Sequence, residues 1–292
     1  MTAGVVVPKE SPVYAALTEL VREGRLVFFA GLPGTGKSLM IHQLAHLAHE
    51  RGRTVHLLQW DVARPVFESS EPGSRYPQVN GVTHGVIRVA AGRWAREAVG
   101  RWHANHSGRQ HILIGETPFV GHRFVELARP AADGTEPVLA AASTRFVIPI
   151  PSREVRRHLE AERERRARRP LHEREKEDAP PQVLRGLWRQ FVVAGRNLGV
   201  TQASESHEAA GEYDPMIYQR TYARVLSRRH VLVLPLEEIL PTASFSAYDF
   251  GVPHTDLLPT VDEVRRWIGE VEAAYPDSDV LRRVTDQWYV SQ

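Results

Sequence analysis

Cysteine is absent from all 292 residues, and with it go disulfides, thiolate metal centres and cysteine nucleophiles. Lysine is almost as scarce. Only Lys9, Lys37 and Lys176 occur, so 34 of the 37 basic side chains are arginine. An excess of charge of one sign is also lacking, because 37 basic and 35 acidic residues leave a formal net charge of +2. The two signs are mixed along the chain, which argues against a dedicated nucleic-acid surface even though the pI is near 9.0. No apolar run approaches the roughly 20 residues of a membrane-spanning helix, and no basic-then-apolar leader opens the sequence. The expectation is a cytoplasmic protein with no membrane partner. Internal repeats and heptads are missing too, so the chain is read as one elaborated domain over residues 1–292.

What is present concentrates in residues 31–38, which read Gly31-Leu32-Pro33-Gly34-Thr35-Gly36-Lys37-Ser38. This is a complete G-x-x-x-x-G-K-[ST] pattern between an apolar run and a helix-period segment, the context that gives it meaning. Its glycines let the backbone turn and approach an anion closely, so that successive amides and the following helix N-terminus face it. One of the three lysines, Lys37, supplies a mobile point charge for terminal phosphates, and Ser38 offers a hydroxyl ligand for Mg²⁺. These eight residues and Leu39 form the expected triphosphate-binding segment. No guanine-reading Asn-Lys-x-Asp is found, which favours ATP over GTP.

The rest of the chain alternates strand-like and helix-like segments. Apolar spacing predicts a helix over 11–23, a strand over 25–30, a helix over 37–51 and a second strand over 54–60 that ends at Asp61. Residues 62–92 are rich in Pro, Gly, Ser and Glu and read as a substrate-facing excursion with short elements. A helix over 93–106, a strand over 111–115 ending at Glu116, a helix over 119–129, a loop over 130–144 and a strand over 145–150 follow. The most charged segment, 153–178, closes at Pro180-Pro181, before helices over 183–198 and 214–228 and a strand over 230–234. Helical patterns over 261–275 and 279–288 end the chain. Such alternation predicts an α/β fold, a parallel sheet with helices on both faces.

Strand, phosphate loop, helix, strand ending at Asp61, strand ending at Glu116 and a later arginine-rich helix together resemble the P-loop kinase branch of nucleoside, nucleotide and small-metabolite kinases. The resemblance implies an ATP-dependent, Mg²⁺-requiring phosphotransferase with a small-molecule acceptor. Lys37 would act on the transferring phosphoryl group. Asp61 would orient or deprotonate the attacking hydroxyl, Arg64 would bind an anionic group of the acceptor, and Glu116 would hold Mg²⁺ through water, as a Walker-B acid does. One departure stands out: Gly115 occupies a position where an Asp is expected. Residues 152–180 resemble a lid whose arginines close over the phosphoryl group, with Arg153 and Arg157 favoured because they lie just beyond the strand. Interleaved Glu154, Glu160, Glu162 and Glu164 would equally stabilise an ordinary solvated helix. A polynucleotide 5′-hydroxyl kinase and a regulatory ATPase remain the other classes, nucleic acid being the less favoured partner.

Three other groups read as structural. His42, His46 and His49 share a helix face at metal-ligand spacing, but no carboxylate completes a motif. Trp94 and Trp102 fit helix packing. So do Tyr213, Tyr218 and Tyr222, any one of which can border a pocket.

Overall fold

The computed structural model describes residues 4–201, 211–242 and 245–290. Six strands, β1 (Leu26–Ala30), β2 (Thr54–Leu58), β3 (His111–Thr117), β4 (Thr144–Pro151), β5 (Val231–Leu236) and β6 (His254–Asp256), form one sheet. Their order is β5-β4-β1-β3-β2-β6, and every neighbouring pair is parallel. In β1 the side chains of Leu26, Phe28 and Ala30 enter one apolar core, while Val27 and Phe29 enter the other. Burial on both faces is why this strand is continuously apolar, with no alternation of polar residues.

Helices supply both cores. On one face lie α1 (Pro12–Glu23) and α2 (Lys37–Glu50), through Leu17, Leu20, Met40, Ile41 and Leu44. The other face is covered by α3 (Trp60–Glu68), α4 (Gly85–Asn105), and, after the short α5 (Glu136–Leu139) and the charged α6 (Arg153–Arg168), by α7 (Pro181–Asn197), α8 (Pro215–Val225), α9 (Val261–Ala274) and α10 (Ser278–Asp286). Local chemistry starts several of them. Ser11 accepts from Tyr14 N at 3.1 Å ahead of α1, and Thr260 and Glu263 form a reciprocal capping box at α9. Trp94 and Trp102 are packing residues, 0% and 4% exposed. The α/β expectation holds: the sheet is all-parallel and flanked by helices. No helix among the described residues is long and apolar enough to cross a membrane.

Three local expectations are corrected, and one strand went unread. The second strand stops at Leu58, and Trp60 and Asp61 open α3. The excursion after Asp61 shrinks to residues 69–84, because α3 runs to Glu68 and α4 begins at Gly85. Val86, Ile87, Val89, Ala90 and Ala91 are all buried, and a helix covered nearly all round shows little of the one-sided periodicity that marks a surface helix. No helix spans 119–129. Phe119, Gly121, His122 and Phe124 have φ of 56°, 71°, 65° and 59°, and only the 3₁₀ turn Val125–Leu127 is helical. The edge strand β6, three residues long, carried no readable pattern.

An ionic group with two buried guanidiniums holds the loop before β4 to the helical layer. Arg229, with a fully buried side chain, donates to Glu136 at 2.7 Å, and Arg96 donates to Glu136 and Asp133, each at 2.7 Å. Burial pushes the Glu136 carboxyl up, but hydrogen bonds from Arg229 and Arg96 outweigh it and hold it down to about 2. We expect Glu136→Gln to cost about 3 kcal/mol, since it strands a buried guanidinium. The stabilisation is fully present above the ordinary carboxyl value of 4.5 and is lost as pH falls toward about 2. Denaturant unfolding across that range measures it; a parent-like midpoint for the variant would remove the network from the stability account.

Candidate functional site

The phosphate-loop segment joins the C-terminal end of β1 to α2. Gly36 caps α2 at φ 86° and Gly34 sits at φ 75°, conformations that carry no penalty only for glycine. Thr35 Oγ1 donates to Leu32 O at 2.8 Å, and Lys37 Nζ donates to the same carbonyl at 2.9 Å. Burial lowers the Lys37 ammonium to about 8, opposed by Glu116 and Asp61 and aided by Arg163 and Arg156. Tyr218 of α8 closes the loop from behind: Leu32 N donates to its hydroxyl at 3.3 Å. A Cβ at position 31 would lie 2.4 Å from that oxygen, so Gly31 is there for a close approach. Arg156 holds the loop's other side, donating to Pro33 O at 2.8 Å, with its guanidinium over the Tyr213 ring.

Parallel pairing of β1 with β3 sets Glu116 opposite Phe29, one strand over from the loop. Trp60 N, at the start of α3, donates to Glu116 Oε1 at 3.0 Å. Burial and then Asp61 raise the Glu116 carboxyl; Lys37 and Arg174 pull it the other way. The glycine before it has a steric reason. A Cβ on Gly115 would meet Phe28 at 2.8 Å and Leu58 O at 3.0 Å, leaving no room for an aspartate. Asp61 is exposed in the first turn of α3. Because Pro65 lacks an N–H, the Asp61 carbonyl has no helical donor. Arg64 pairs with Glu68 at 2.6 Å, and Gln78 donates to both Glu68 oxygens at 2.9 Å.

These elements enclose a cleft of about 710 Å³, whose walls include Lys37, Ser38, Asp61, Arg64 and Glu116. Pro33, Gly34, Gly36, Lys37 and Ser38 of the loop thus share one cleft with Leu39, Asp61, Arg64 and Glu116. Arg153 and Arg157 do not. Arg153 pairs with Asp214 at 2.8 Å, Arg157 donates to Arg153 O at 3.3 Å, and neither lines the cleft. Residues 152–180 form α6 and the 3₁₀ turn Glu173–Glu177; α6 meets the loop through Arg156 and Leu159, on a face other than that of Arg153 and Arg157. Arg163 and Arg166 reach the cleft from α6 and Arg174 from the turn. Arg163 pairs with Asp178 at 2.6 Å, Arg166 with Glu175 at 2.9 Å, and Arg174 lies 4.6 Å from the Tyr248 ring centroid. One signal marked this face in the sequence: Val155 and Leu159 are the helix's larger apolar residues, and positions 162, 163 and 166 continue their stripe.

Arg123 escaped sequence reasoning altogether. It sits in the cleft wall within 119–124, where Phe119, Gly121, His122 and Phe124 have positive φ; it lies over the Trp60 ring, 5.9 Å from the centroid, and forms no ion pair within 4 Å among the described residues. Burial lowers its pKa, opposed first by Asp61, and its Nε has no hydrogen-bond partner. Non-glycine residues at positive φ cost on the order of 1–3 kcal/mol each, and persist where the surroundings over-determine them. Here the surroundings do so: Phe119 and Phe124 are fully buried, Phe124 packs edge-on against Trp60 at 5.3 Å, and the Phe119 and Arg123 backbones bond reciprocally at 3.0 and 3.1 Å. The strained loop therefore delivers a guanidinium beside Asp61 and Glu116.

His42 is a packing residue, bonded to Asp249 O at 3.1 Å, stacked on Phe250 and tilted against Phe245; His49 is exposed. Comparison of the chain with protein-family models, with curated proteins and with solved structures returned no match.

Proposed function

We propose that the chain is an ATP-dependent, Mg²⁺-requiring phosphotransferase of the P-loop kinase kind, acting on a hydroxyl or phosphate of a nucleoside, nucleotide or related small metabolite. The observation that carries this reading is the convergence of the 31–38 loop, Glu116 and Asp61 on one cleft with an arginine wall. In it, Lys37 and the loop amides hold the β- and γ-phosphates. Ser38, and Glu116 through water, are the residues that fit Mg²⁺, which would neutralise charge on the phosphate oxygens. Asp61 takes the proton of the acceptor hydroxyl as its oxygen attacks the γ-phosphorus. The bond to the β-phosphate oxygen breaks, and ADP leaves with that electron pair. Arg123 and Arg163, facing the cleft, take the clamping role first expected of Arg153 and Arg157.

The size of the cleft suits a small acceptor, since ligand pockets run about 300–1,000 Å³. Glu68, Glu162, Glu175 and Asp178 alternate with its arginines, so it lacks the uniformly positive groove a polynucleotide would need. The test is ATP consumption against nucleosides, nucleotides, sugars and short oligonucleotides. With the acceptor in hand, Asp61→Asn should lower transfer by about two to four orders of magnitude with ATP affinity retained. Hydrolysis of ATP that no acceptor accelerates would replace the kinase reading with the ATPase one.

A further inference from the structure

Away from the cleft, three histidines from three elements meet near the N-terminal ends of β2 and β3. His56 lies within β2, His106 directly follows α4 and His111 opens β3. One ring nitrogen from each lies within 4.8 Å of the others, and His56 Nε2 is 3.2 Å from His111 Nδ1. In a tetrahedral site with zinc–nitrogen bonds of roughly 2.0–2.1 Å, neighbouring ligand nitrogens are about 3.3 Å apart. His56 and His111 already have that spacing, and His106 needs only a small ring movement to join them.

The surroundings prepare the rings. His106 Nδ1 lies 2.9 Å from Trp102 O; a carbonyl only accepts, so Nδ1 carries the proton and Nε2 keeps its lone pair. An imidazole tied in this way to a backbone carbonyl is the usual support of a metal-bound histidine. Arg25 donates to His106 O, and Arg53 donates to His111 O at 2.7 Å, which fixes the backbone at two of the three positions. His56 is buried while His106 and His111 are half-buried, leaving one side of the set open to solvent.

We propose that His56, His106 and His111 form a three-histidine site for a divalent cation of the zinc class, with the fourth position taken by water or a small anion. The donor set excludes Mg²⁺ and Ca²⁺, which require oxygen ligands, so this site is chemically separate from the cleft. Arg25 and Arg53 stand beside it and oppose a dication, so affinity is weakened and an anionic fourth ligand is favoured. Bound there, the ion ties the end of α4 to β2 and β3.

The test uses the full chain in a non-chelating buffer, titrated calorimetrically with ZnCl₂ and, separately, MgCl₂. We expect one Zn²⁺ per chain to depend on these rings, and an unfolding midpoint raised by roughly 5 °C when free Zn²⁺ is about a hundredfold above Kd. Loss of an outer-shell partner costs about 10- to 100-fold in metal affinity, so His106→Gln and His111→Gln, which remove ligands, should each weaken that binding by about 100-fold or more, while His49→Gln, at an exposed helix-end position, leaves it unchanged. Affinity for a non-hydrolysable ATP analogue should be the same in all four proteins, which separates this proposal from the reading of the cleft. Should His111→Gln fail to fold, His106→Gln carries the test, its ring being half-buried at a helix end. Absence of saturable Zn²⁺ binding, or binding that survives His106→Gln at parent affinity, would reduce the cluster to a hydrogen-bonded packing group.

Discussion

Lys37→Ala is expected to lower ATP turnover by about three orders of magnitude or more and to weaken triphosphate binding. The ammonium lies on the loop itself, 6% exposed and 2.9 Å from Leu32 O, and neither Lys9 nor Lys176 lines the cleft. Arginine should not rescue it, because a branched guanidinium does not fit where a linear chain folds back against a backbone carbonyl. The fold should survive: the substitution removes a buried charge, and Thr35 Oγ1 still donates to Leu32 O at 2.8 Å. Calorimetric titration with a non-hydrolysable ATP analogue, alongside turnover, is the measurement; unchanged affinity and activity would end the phosphate-loop reading. A pH signature accompanies it. Burial lowers the free-state Lys37 to about 8, so kcat/KM should fall as pH rises through about 8. Because phosphate favours the charged form and raises its pKa, kcat should hold to higher pH.

Arg123→Ala is expected to cost about two to three orders of magnitude in phosphoryl transfer, while leaving the unfolding midpoint little changed. The two readouts diverge for a physical reason. Its half-buried side chain lies over the Trp60 ring, 5.9 Å from the centroid, forms no ion pair among the described residues and sits on a loop with three non-glycine residues at positive φ. Removing a partly desolvated charge that has no direct ion pair recovers its desolvation cost and offsets the lost contact with the Trp60 ring, but it strips the cleft of a fixed cation beside Asp61 and Glu116. A structural arginine would behave in the opposite way, with a large drop in midpoint and little change in turnover per folded molecule. Thermal unfolding and single-turnover transfer on the same preparations distinguish the two.

The proposed phosphate-binding segment was legible because its physics is contiguous. Residues 31–38 need only each other, a strand before them and a helix after them. Asp61 and Glu116 were legible as carboxylates delivered near the ends of apolar runs, although Asp61 proves to start a helix and Glu116 to be the last but one residue of its strand. The α/β class followed from alternation of elements, whereas β6 was too short to show and α4 too thoroughly buried to show its true start.

What the sequence by itself determined is whatever depends on neighbours in the chain: the loop, most helices, the parallel sheet, and the two carboxylates that follow apolar runs. Tertiary structure alone decided which face of α6 meets the cleft, because a helix dominated by Arg and Glu offers only Val155 and Leu159 to orient it. It also decided that Arg123 enters the cleft, since left-handed conformations at Phe119, His122 and Phe124 are imposed by their buried packing and not by any local preference of those residues. The meeting of His56, His106 and His111 has the same origin. No spacing along the chain announces it, and it exists because β2 and β3 pair in the register Thr54 to His111 and α4 ends beside them.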